Sequence, residues 1–209
     1  IKPPIYKMKI IVKRTALIII SIGFITCTNI KSEEKENKKE PLSIIFMIGD
    51  GMGLPQISTA FYFGESTPNF EQFENIGLIK TSSTSHKITD SAAGATAFAT
   101  GEKTYKRAIG VSKDTLPLPS ILEILQKKGY QTGLVSLTSI THATPASFYA
   151  HVKDRDLEDE IALQLVDANV DFFAGGGLKH FTKREDQKNL YTTMLSKNYK
   201  LDSINVSAF

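Results

Sequence analysis

The chain has 209 residues, of which 41% are hydrophobic and 22% are charged, and its formal net charge is +3 at pH 7. This is the composition of a folded globular protein, and the absence of a basic stripe interleaved with aromatic residues argues against nucleic-acid binding. Cys27 is the single cysteine, which excludes an intrachain disulfide.

Residues 1–27 are predicted to be a targeting segment. Basic residues precede the apolar run ALIIISIGFI at 16–25, which has the length of a signal-sequence core and is too short to span a bilayer. The run leads to Cys27, as in the lipobox of bacterial lipoproteins, although Thr26 stands where Gly or Ala is usual. We expect an exported lipoprotein, periplasmic or at the outer membrane or cell surface. Ordinary signal cleavage and a short anchor are the alternatives.

Residues 28–41 include the polar, charge-balanced run KSEEKENKKE and are predicted to form a solvated tether. The globular part of the chain is predicted to begin with LSIIFMI at 42–48, a continuous apolar run that predicts a strand buried on both faces. The turn GDGMG and a helix over 54–63, entered through Pro55, are expected next. Residues 77–82 are a candidate second strand.

The second half of the chain has clearer element boundaries. Residues 119–129 predict a helix, with Ser120 and Glu123 as a capping box and Gly129 just beyond its end. Further elements are expected after Ser91 (helix) and over 132–137 (strand), 157–168 (helix), 170–177 (strand and glycine loop) and 184–196 (helix). The alternation predicts an α/β sandwich around a mainly parallel sheet, with chemistry at the carboxyl ends of the strands.

Two candidate sites lie in the first half. Asp50 stands between glycines after the first predicted strand, where a carboxylate can bridge metal ions or, alternatively, cap the next helix. Ser91 heads the run SAAGATAFAT, whose small residues allow backbones to approach closely. A helix N-terminus there would attract an anion, and the structural alternative is an N-cap on a buried helix.

The third candidate is LTSITHATPASFYAHVKDR at 137–155. It offers the imidazole of His142, the hydroxyl of Thr144, then His151 and Arg155. Hard oxygen ligands suit Mg²⁺, and an arginine fork suits a phosphate group. The alternative is that the histidines are hydrogen-bonded structural residues and that Arg155 is a surface charge.

Considered jointly, DGMG, TDSAAGATAFATGEKTYKRAIG, THATPASFYAHVKDR and FFAGGG resemble, in order and spacing, the N-terminal half of alkaline phosphatases. The resemblance runs from residue 42 to about residue 179. It implies a three-layer α/β sandwich with a mainly parallel central sheet, of which residues 42–209 are the N-terminal part. It also implies hydrolysis of phosphate monoesters, two Zn²⁺ ions and one Mg²⁺ ion, and a homodimer when the domain is complete.

The resemblance assigns three residues to the substrate. Ser91 matches the nucleophile, which becomes a phosphoserine and also contacts metal. Arg155 matches the arginine that grips two phosphate oxygens, and Asp90 matches the neighbour that helps to orient that arginine.

It assigns three more to the metals. Asp50 matches the carboxylate that bridges one zinc and the magnesium, and Thr144 matches the magnesium ligand. His142 occupies a position that is Asp in some branches and His in others, and it acts on magnesium through water. Because a neutral histidine removes a negative charge near the metal, weaker magnesium retention is expected.

Most zinc ligands of the family come from the second half of the domain: a further acid, an Asp-x-x-x-His pair, an Asp-His pair and a late His. None of the four histidines of this chain, which are His86, His142, His151 and His180, has an Asp four residues before it. The chain is therefore expected to be a fragment, from partial sequencing or a broken reading frame, that does not turn over alone.

Three other functions are open. One is a metal-independent serine hydrolase that pairs Ser91 with His142 or His86, although no G-x-S-x-G motif is present. Another is a non-catalytic, lipid-anchored phosphate-binding protein. The third, within the same superfamily, is a phosphodiesterase or sulfatase.

Overall fold

The computed structural model describes residues 42–203 of the chain. These fall into two units, residues 42–47 and residues 48–203, and the second unit carries the helices and strands described below. The predicted targeting segment and tether lie outside the described residues. No helix within 42–203 is both long and apolar enough to cross a membrane.

Residues 48–203 alternate helices with two strands. In chain order they are α1 (Leu54–Phe63), a 3-10 turn (Asn69–Gln72), α2 (Ser91–Thr100), α3 (Ile121–Lys127), β1 (Gly133–Ser139), α4 (Ala143–Ala146), α5 (Glu158–Asp167), β2 (Phe172–Gly176), α6 (Lys179–Thr182) and α7 (Leu190–Ser196). The predicted α/β class is confirmed. The short helices α4 and α6 were not predicted.

The two strands pair in parallel, as the sequence predicts for this class. Gly133 lies opposite Phe172 and Leu134 opposite Phe173, and the register shifts before Ser139. The crossover between the strands contains α4 and α5, since parallel neighbours require a long connection. Leu134 and Phe173 pack against the buried core.

The core lies between α2, α4, α5 and the two C-terminal helices. Its fully buried side chains include Ile109, Ile161, Leu165 and Val170. Helix α5 has the apolar spacing predicted for 157–168 and packs against both α6 and α7. The helix face that the sequence marks as apolar is therefore the face that is buried.

Two strand predictions are wrong. Residues 42–49 and 77–82 have no regular secondary structure. Their apolar side chains are largely exposed, for example Ile45 at 88% and Leu78 at 83%. A strand buried on both faces requires neighbouring strands and covering layers, and the described sheet has only two strands.

The predicted helix over 184–196 is correct only in its second half. Helix α7 begins at Leu190, and the side chain of Asn189 caps it by accepting from the N–H groups of Tyr191 and Thr192. Before the cap, Arg184 pairs with Asp186 in a turn, so the polar residues of this segment form an ion pair rather than a helical turn.

The predicted helix boundaries elsewhere are confirmed. Ser120 and Glu123 form the capping box of α3, and Gly129 adopts the left-handed φ of 82° beyond its end. Helix α1 begins as predicted, with Pro55 in its first turn. These positions share local chemistry that does not depend on distant parts of the fold.

Candidate functional site

Helix α2 begins with Asp90 and Ser91 side by side. Asp90 is the N-cap, because its Oδ1 accepts from the backbone N–H of Ala93 at 3.1 Å. Ser91 is the first helical residue, so the alternative that Ser91 itself caps the helix is wrong. Its hydroxyl stands at the positive end of a ten-residue helix, where an anion is stabilised.

The small residues of α2 allow close packing behind Ser91. Ala92, Ala93, Ala95 and Ala99 are at most 3% exposed. Thr96, which is fully buried, donates to the carbonyl of Ala108 and accepts from a backbone N–H, and α2 lies against α4. The packing role that the sequence suggested for this run is therefore observed.

Asp50 is the point at which two hydroxyl groups meet. Its Oδ1 accepts from Ser91 Oγ at 2.9 Å, and its Oδ2 accepts from Thr144 Oγ1 at 3.1 Å. The turn that presents it closes through a hydrogen bond from Met52 N to Gly49 O, with Gly51 at a left-handed φ of 68°. One carboxylate thus joins residues from three separate sequence motifs.

Arg155 is held at the same place from two sides. Its Nη1 lies 3.3 Å from Asp90 Oδ2, and its Nη2 lies 3.0 Å from His142 Nε2. A guanidinium can only donate, so His142 Nε2 is the acceptor in this contact. The side chain of Arg155 is 19% exposed, which identifies it as part of the site rather than a surface charge.

The carboxyl of Asp90 remains ionised because its hydrogen bonds outweigh its burial. Burial by itself would raise the pKa of Asp90. The N–H groups of Ala93 and Arg107, together with the guanidinium of Arg155, shift that pKa below its ordinary value. The Asp90 charge is therefore available to orient Arg155 at neutral pH.

The other histidines lie elsewhere. His151 Nδ1 contacts Gly110 O at 2.7 Å and its Nε2 contacts Glu123 at 3.1 Å, which is the structural role left open by the sequence. His180 lies between Glu158 and Asp159. His86 Nδ1 faces Ser85.

The serine-hydrolase alternative finds no support in residues 42–203. The hydroxyl of Ser91 donates to a carboxylate, whereas His142 Nε2 accepts from Arg155 and His86 contacts its own neighbour Ser85. A base that removes the serine proton would have to lie within hydrogen-bond reach of Ser91 Oγ.

One contributor to this region, Arg107, is not among the residues that the sequence motifs indicate. Its backbone N–H donates to Asp90 Oδ1 at 3.2 Å, and its guanidinium contacts both Asp154 and Asp156, the two neighbours of Arg155. Its left-handed φ of 78° is unusual for a residue other than glycine. Sequence reasoning offered no signal for it, because the contact spans 47 residues.

The donor set suits part of a metal centre. Asp50 and Thr144 supply the hard oxygen atoms that Mg²⁺ prefers, and Mg²⁺ usually keeps several waters. Zinc prefers additional nitrogen, sulfur or carboxylate ligands. No group of three or more His, Cys, Asp or Glu side chains that could hold a metal ion occurs in the described part of the chain. The residues therefore fit a magnesium site and only a portion of a zinc site.

The formal charges of the site also indicate that metal cations belong there. Asp50 and Asp90 contribute two negative charges and Arg155 one positive charge, which leaves a net charge of −1 around Ser91. A phosphate dianion would be repelled by this set, so cations would be needed to hold it.

Comparison with known proteins gives the family. The sequence profile of the alkaline phosphatase family matches residues 42–203. The chain belongs to the alkaline phosphatase family. It is 38% identical over 169 residues to alkaline phosphatase 4 of Bacillus subtilis, and this match covers 74% of the chain and 37% of the relative.

The solved structures of alkaline phosphatases agree with this assignment. The enzyme from the Antarctic bacterium TAB5 is 51% identical, with a TM-score of 0.74, over 76% of this chain and 46% of that one. The enzyme from a psychrophilic Shewanella is 34% identical with a TM-score of 0.62. The alkaline-phosphatase-like fold predicted from the sequence is thus confirmed. The chain spans less than half the length of these alkaline phosphatases.

Proposed function

We propose that this chain is the N-terminal portion of an alkaline phosphatase that hydrolyses phosphate monoesters through a phosphoserine at Ser91. The observation that carries the proposal is the meeting of Ser91 and Thr144 on the two oxygens of Asp50, beside an Arg155 oriented by Asp90. Family membership supports the same reaction class.

In this proposal Ser91 Oγ attacks the phosphorus atom, the Oγ–P bond forms, and the bond from phosphorus to the ester oxygen breaks. The alcohol leaves with a proton, and water then cleaves the phosphoserine to release inorganic phosphate. The hydroxyl is placed by its hydrogen bond to Asp50. The positive end of α2 and the guanidinium of Arg155 face the charge on the equatorial oxygens.

Arg155 would bind two of these oxygens through its planar fork. A guanidinium has five N–H donors, and the structure assigns one to Asp90 and one to His142. Donors therefore remain for phosphate, while Asp90 keeps the plane of the guanidinium fixed. A guanidinium that is already oriented contributes to catalysis, because Arg155 then loses less conformational freedom when phosphate binds.

Metal ions would complete the site. Asp50 and Thr144, with Ser91, are the residues that would hold the magnesium and contact zinc, and the ions would supply positive charge that lowers the pKa of the serine hydroxyl and stabilises the leaving oxygen. A histidine-to-aspartate variant of the Antarctic enzyme binds magnesium in its M3 site. We propose that His142 takes the corresponding place here, next to magnesium and in contact through water.

Several features support the proposal that further sequence completes the domain. The relatives are more than twice as long as the part that matches. Val135 and Leu137 of β1 are 75% and 105% exposed, and no residue of α1 is buried. An apolar sheet face of this kind is normally covered by another layer. The remaining zinc ligands would come from that further sequence.

Reading the source DNA beyond the codon for residue 209 tests this part of the proposal. We expect the frame to continue with an Asp-x-x-x-His pair and an adjacent Asp-His pair. An immediate stop codon would favour the non-catalytic phosphate-binding alternative. Robust metal-dependent phosphatase activity from purified residues 28–209 would contradict the fragment proposal.

The substrate class is tested on the completed protein with an aryl phosphate, a bis-aryl phosphate and an aryl sulfate. We expect the monoester to be hydrolysed fastest, because Arg155 and the magnesium-site residues are arranged for a group with several charged oxygens. Preference for the diester or the sulfate would place the protein among the phosphodiesterases or sulfatases.

We further propose export and lipidation at Cys27, with assembly as a homodimer once the domain is complete. The N-terminal segment supports the first proposal through its basic and apolar composition. Mass spectrometry of the mature N-terminus would detect the lipid, and an unmodified residue at another cleavage site would contradict it.

A further inference from the structure

Arg107 occupies an unusual place next to the predicted phosphate-binding arginine. Its guanidinium forms a two-pronged contact with Asp154, with Nε 2.8 Å from Oδ2 and Nη2 2.8 Å from Oδ1. The same Nη2 pairs with Asp156. Asp154 and Asp156 are the two chain neighbours of Arg155, so one cation engages the carboxylates on both sides of it.

The backbone of Arg107 is linked to the same group from the other direction. Its N–H donates to Asp90 Oδ1, and Asp90 Oδ2 accepts from Arg155. Arg107 adopts a left-handed φ of 78°, a conformation that costs a residue with a Cβ some free energy. The fold therefore maintains an unfavourable backbone geometry at the position that reaches both Asp90 and the neighbours of Arg155.

Neighbouring contacts fix the two segments side by side. Tyr105 Oη donates to Lys153 O at 3.0 Å, and Ile109 and Val152 exchange backbone hydrogen bonds. These contacts align residues 105–109 with residues 152–156 without Arg107. The guanidinium of Arg107 is therefore not needed to bring the segments together, and its contacts with the two acids call for another explanation.

Charge supplies that explanation. Asp90 accepts a hydrogen bond from Arg155, Asp154 lies close enough to feel its charge, and Asp156 follows it directly in the chain. Hydrogen bonds from Arg107 are the largest cause of the lowered pKa of Asp154, and the charge of Arg155 also lowers it, so Asp154 lies within the electrostatic range of Arg155. Without Arg107, the nearby acids would compete with phosphate for the Arg155 guanidinium.

We propose that Arg107 is a positioning residue that keeps Arg155 available for phosphate by occupying the two carboxylates that flank it. The inference rests on the proposed phosphate-binding role of Arg155. It assigns to Arg107 no contact with substrate, and its effect operates through the neighbours of Arg155.

The test measures how fast phenylglyoxal modifies Arg155 in the full chain, kept in mild detergent, with peptide mass spectrometry as the readout. Removing the cation with Arg107→Met should slow the modification of Arg155 about threefold, because a new ion pair with Asp154 or Asp156 protects it. Mere loosening of the structure would have the opposite sign, since a more exposed guanidinium reacts faster.

Further variants separate charge from fold. In Arg107→Met combined with Asp154→Asn and Asp156→Asn, the rate should return to within about twofold of the original, because no free carboxylate remains to compete. Arg107→Lys keeps the positive charge but not the two-pronged guanidinium contact, so Arg155 should be modified at an intermediate rate. This variant replaces Arg107→Met in the comparison if the methionine variant does not fold. Lys197→Met removes a cation from a comparable exposed pair with Asp167 and should leave the rate unchanged.

Inorganic phosphate, added with Zn²⁺ and Mg²⁺ to the completed protein, in which the same substitutions are made, provides a second and separate readout. If phosphate protects Arg155 in the completed protein without substitutions, protection in Arg107→Met should need about threefold more phosphate. If phosphate protects no variant, the assigned role of Arg155 fails, and this inference fails with it. An unchanged or faster modification rate in both Arg107→Met and Arg107→Lys would overturn the inference while leaving the phosphate role intact.

Discussion

Replacing Asp90 with asparagine tests the electrostatic arrangement around Arg155. Asn is nearly the same shape, so its Oδ1 can still accept from the N–H groups of Ala93 and Arg107, and it remains a good N-cap. What changes is the contact with Arg155 Nη1, now 3.3 Å from Asp90 Oδ2. An amide NH₂ in that place would set donor against donor.

The size of the effect follows from this contact. A hydrogen bond between charged groups contributes about 1.5–3 kcal/mol, and the long distance and partial exposure here favour the lower end. We therefore expect Asp90→Asn to lower the free energy of unfolding by about 1.5 kcal/mol at pH 7. Asp167→Asn, which breaks a pair whose carboxylate is 73% exposed, should cost less than about 1 kcal/mol.

The effect has a defined pH dependence. Because folding lowers the pKa of Asp90, its charge stabilises the fold fully above the unfolded value of about 3.9 and progressively less as pH falls through the lower folded value. Urea unfolding of both proteins at pH 7, 5 and 3 should show a constant difference at the two higher values and a smaller one at pH 3. Equal stability at pH 7, or a difference unchanged in acid, would refute the reasoning.

Two further predictions concern a glycine and a histidine. Gly110→Ala would bring a Cβ to 2.1 Å from Ala150 O at a left-handed φ of 58°, so we expect a loss of at least about 2 kcal/mol by urea unfolding. Gly101→Ala, at a φ of 75° with open space around it, should cost only about 1 kcal/mol, and equal losses would contradict the steric argument. His142→Asp adds a negative charge two residues before Thr144, in the proposed magnesium site, so the completed protein should bind Mg²⁺ about tenfold more tightly by titration calorimetry; unchanged affinity would remove His142 from the magnesium site.

Local chemistry explains why parts of the fold could be predicted from sequence. The capping box at Ser120 and Glu123 and the left-handed glycine after α3 depend on residues three to nine positions apart. In α5 the apolar residues recur at helical spacing, so the helix can be recognised from its own sequence. Such signals do not require knowledge of distant contacts.

The failures have a common physical cause. Residues 42–48 and 77–82 have the composition of buried strands, but a strand exists only through hydrogen bonds to neighbours, and sequence composition does not say whether they are present. At residues 184–189, a local ion pair replaced the expected helical turn. In each case the pattern identified apolar or polar content correctly and the element incorrectly.

The site shows the same division. The family motifs predict that four residues share one site: Asp50, Ser91, Thr144 and Arg155. In the structure Ser91 and Thr144 both donate to Asp50, and Arg155 donates to Asp90. Arg107 escaped notice because its role depends on a fold that carries residue 107 back to residues 154–156. A charged side chain in a loop has no sequence signature of that kind.

Locating phosphate on the chain during turnover tests the role of Ser91 most directly. The completed protein, obtained from the extended reading frame or by joining residues 42–203 to the remainder of the Antarctic enzyme, is mixed with a ³²P-labelled aryl phosphate and quenched in acid. We predict label on the peptide that contains Ser91, and its loss together with turnover in Ser91→Ala. Turnover without label at Ser91, or undiminished turnover in Ser91→Ala, would contradict the account.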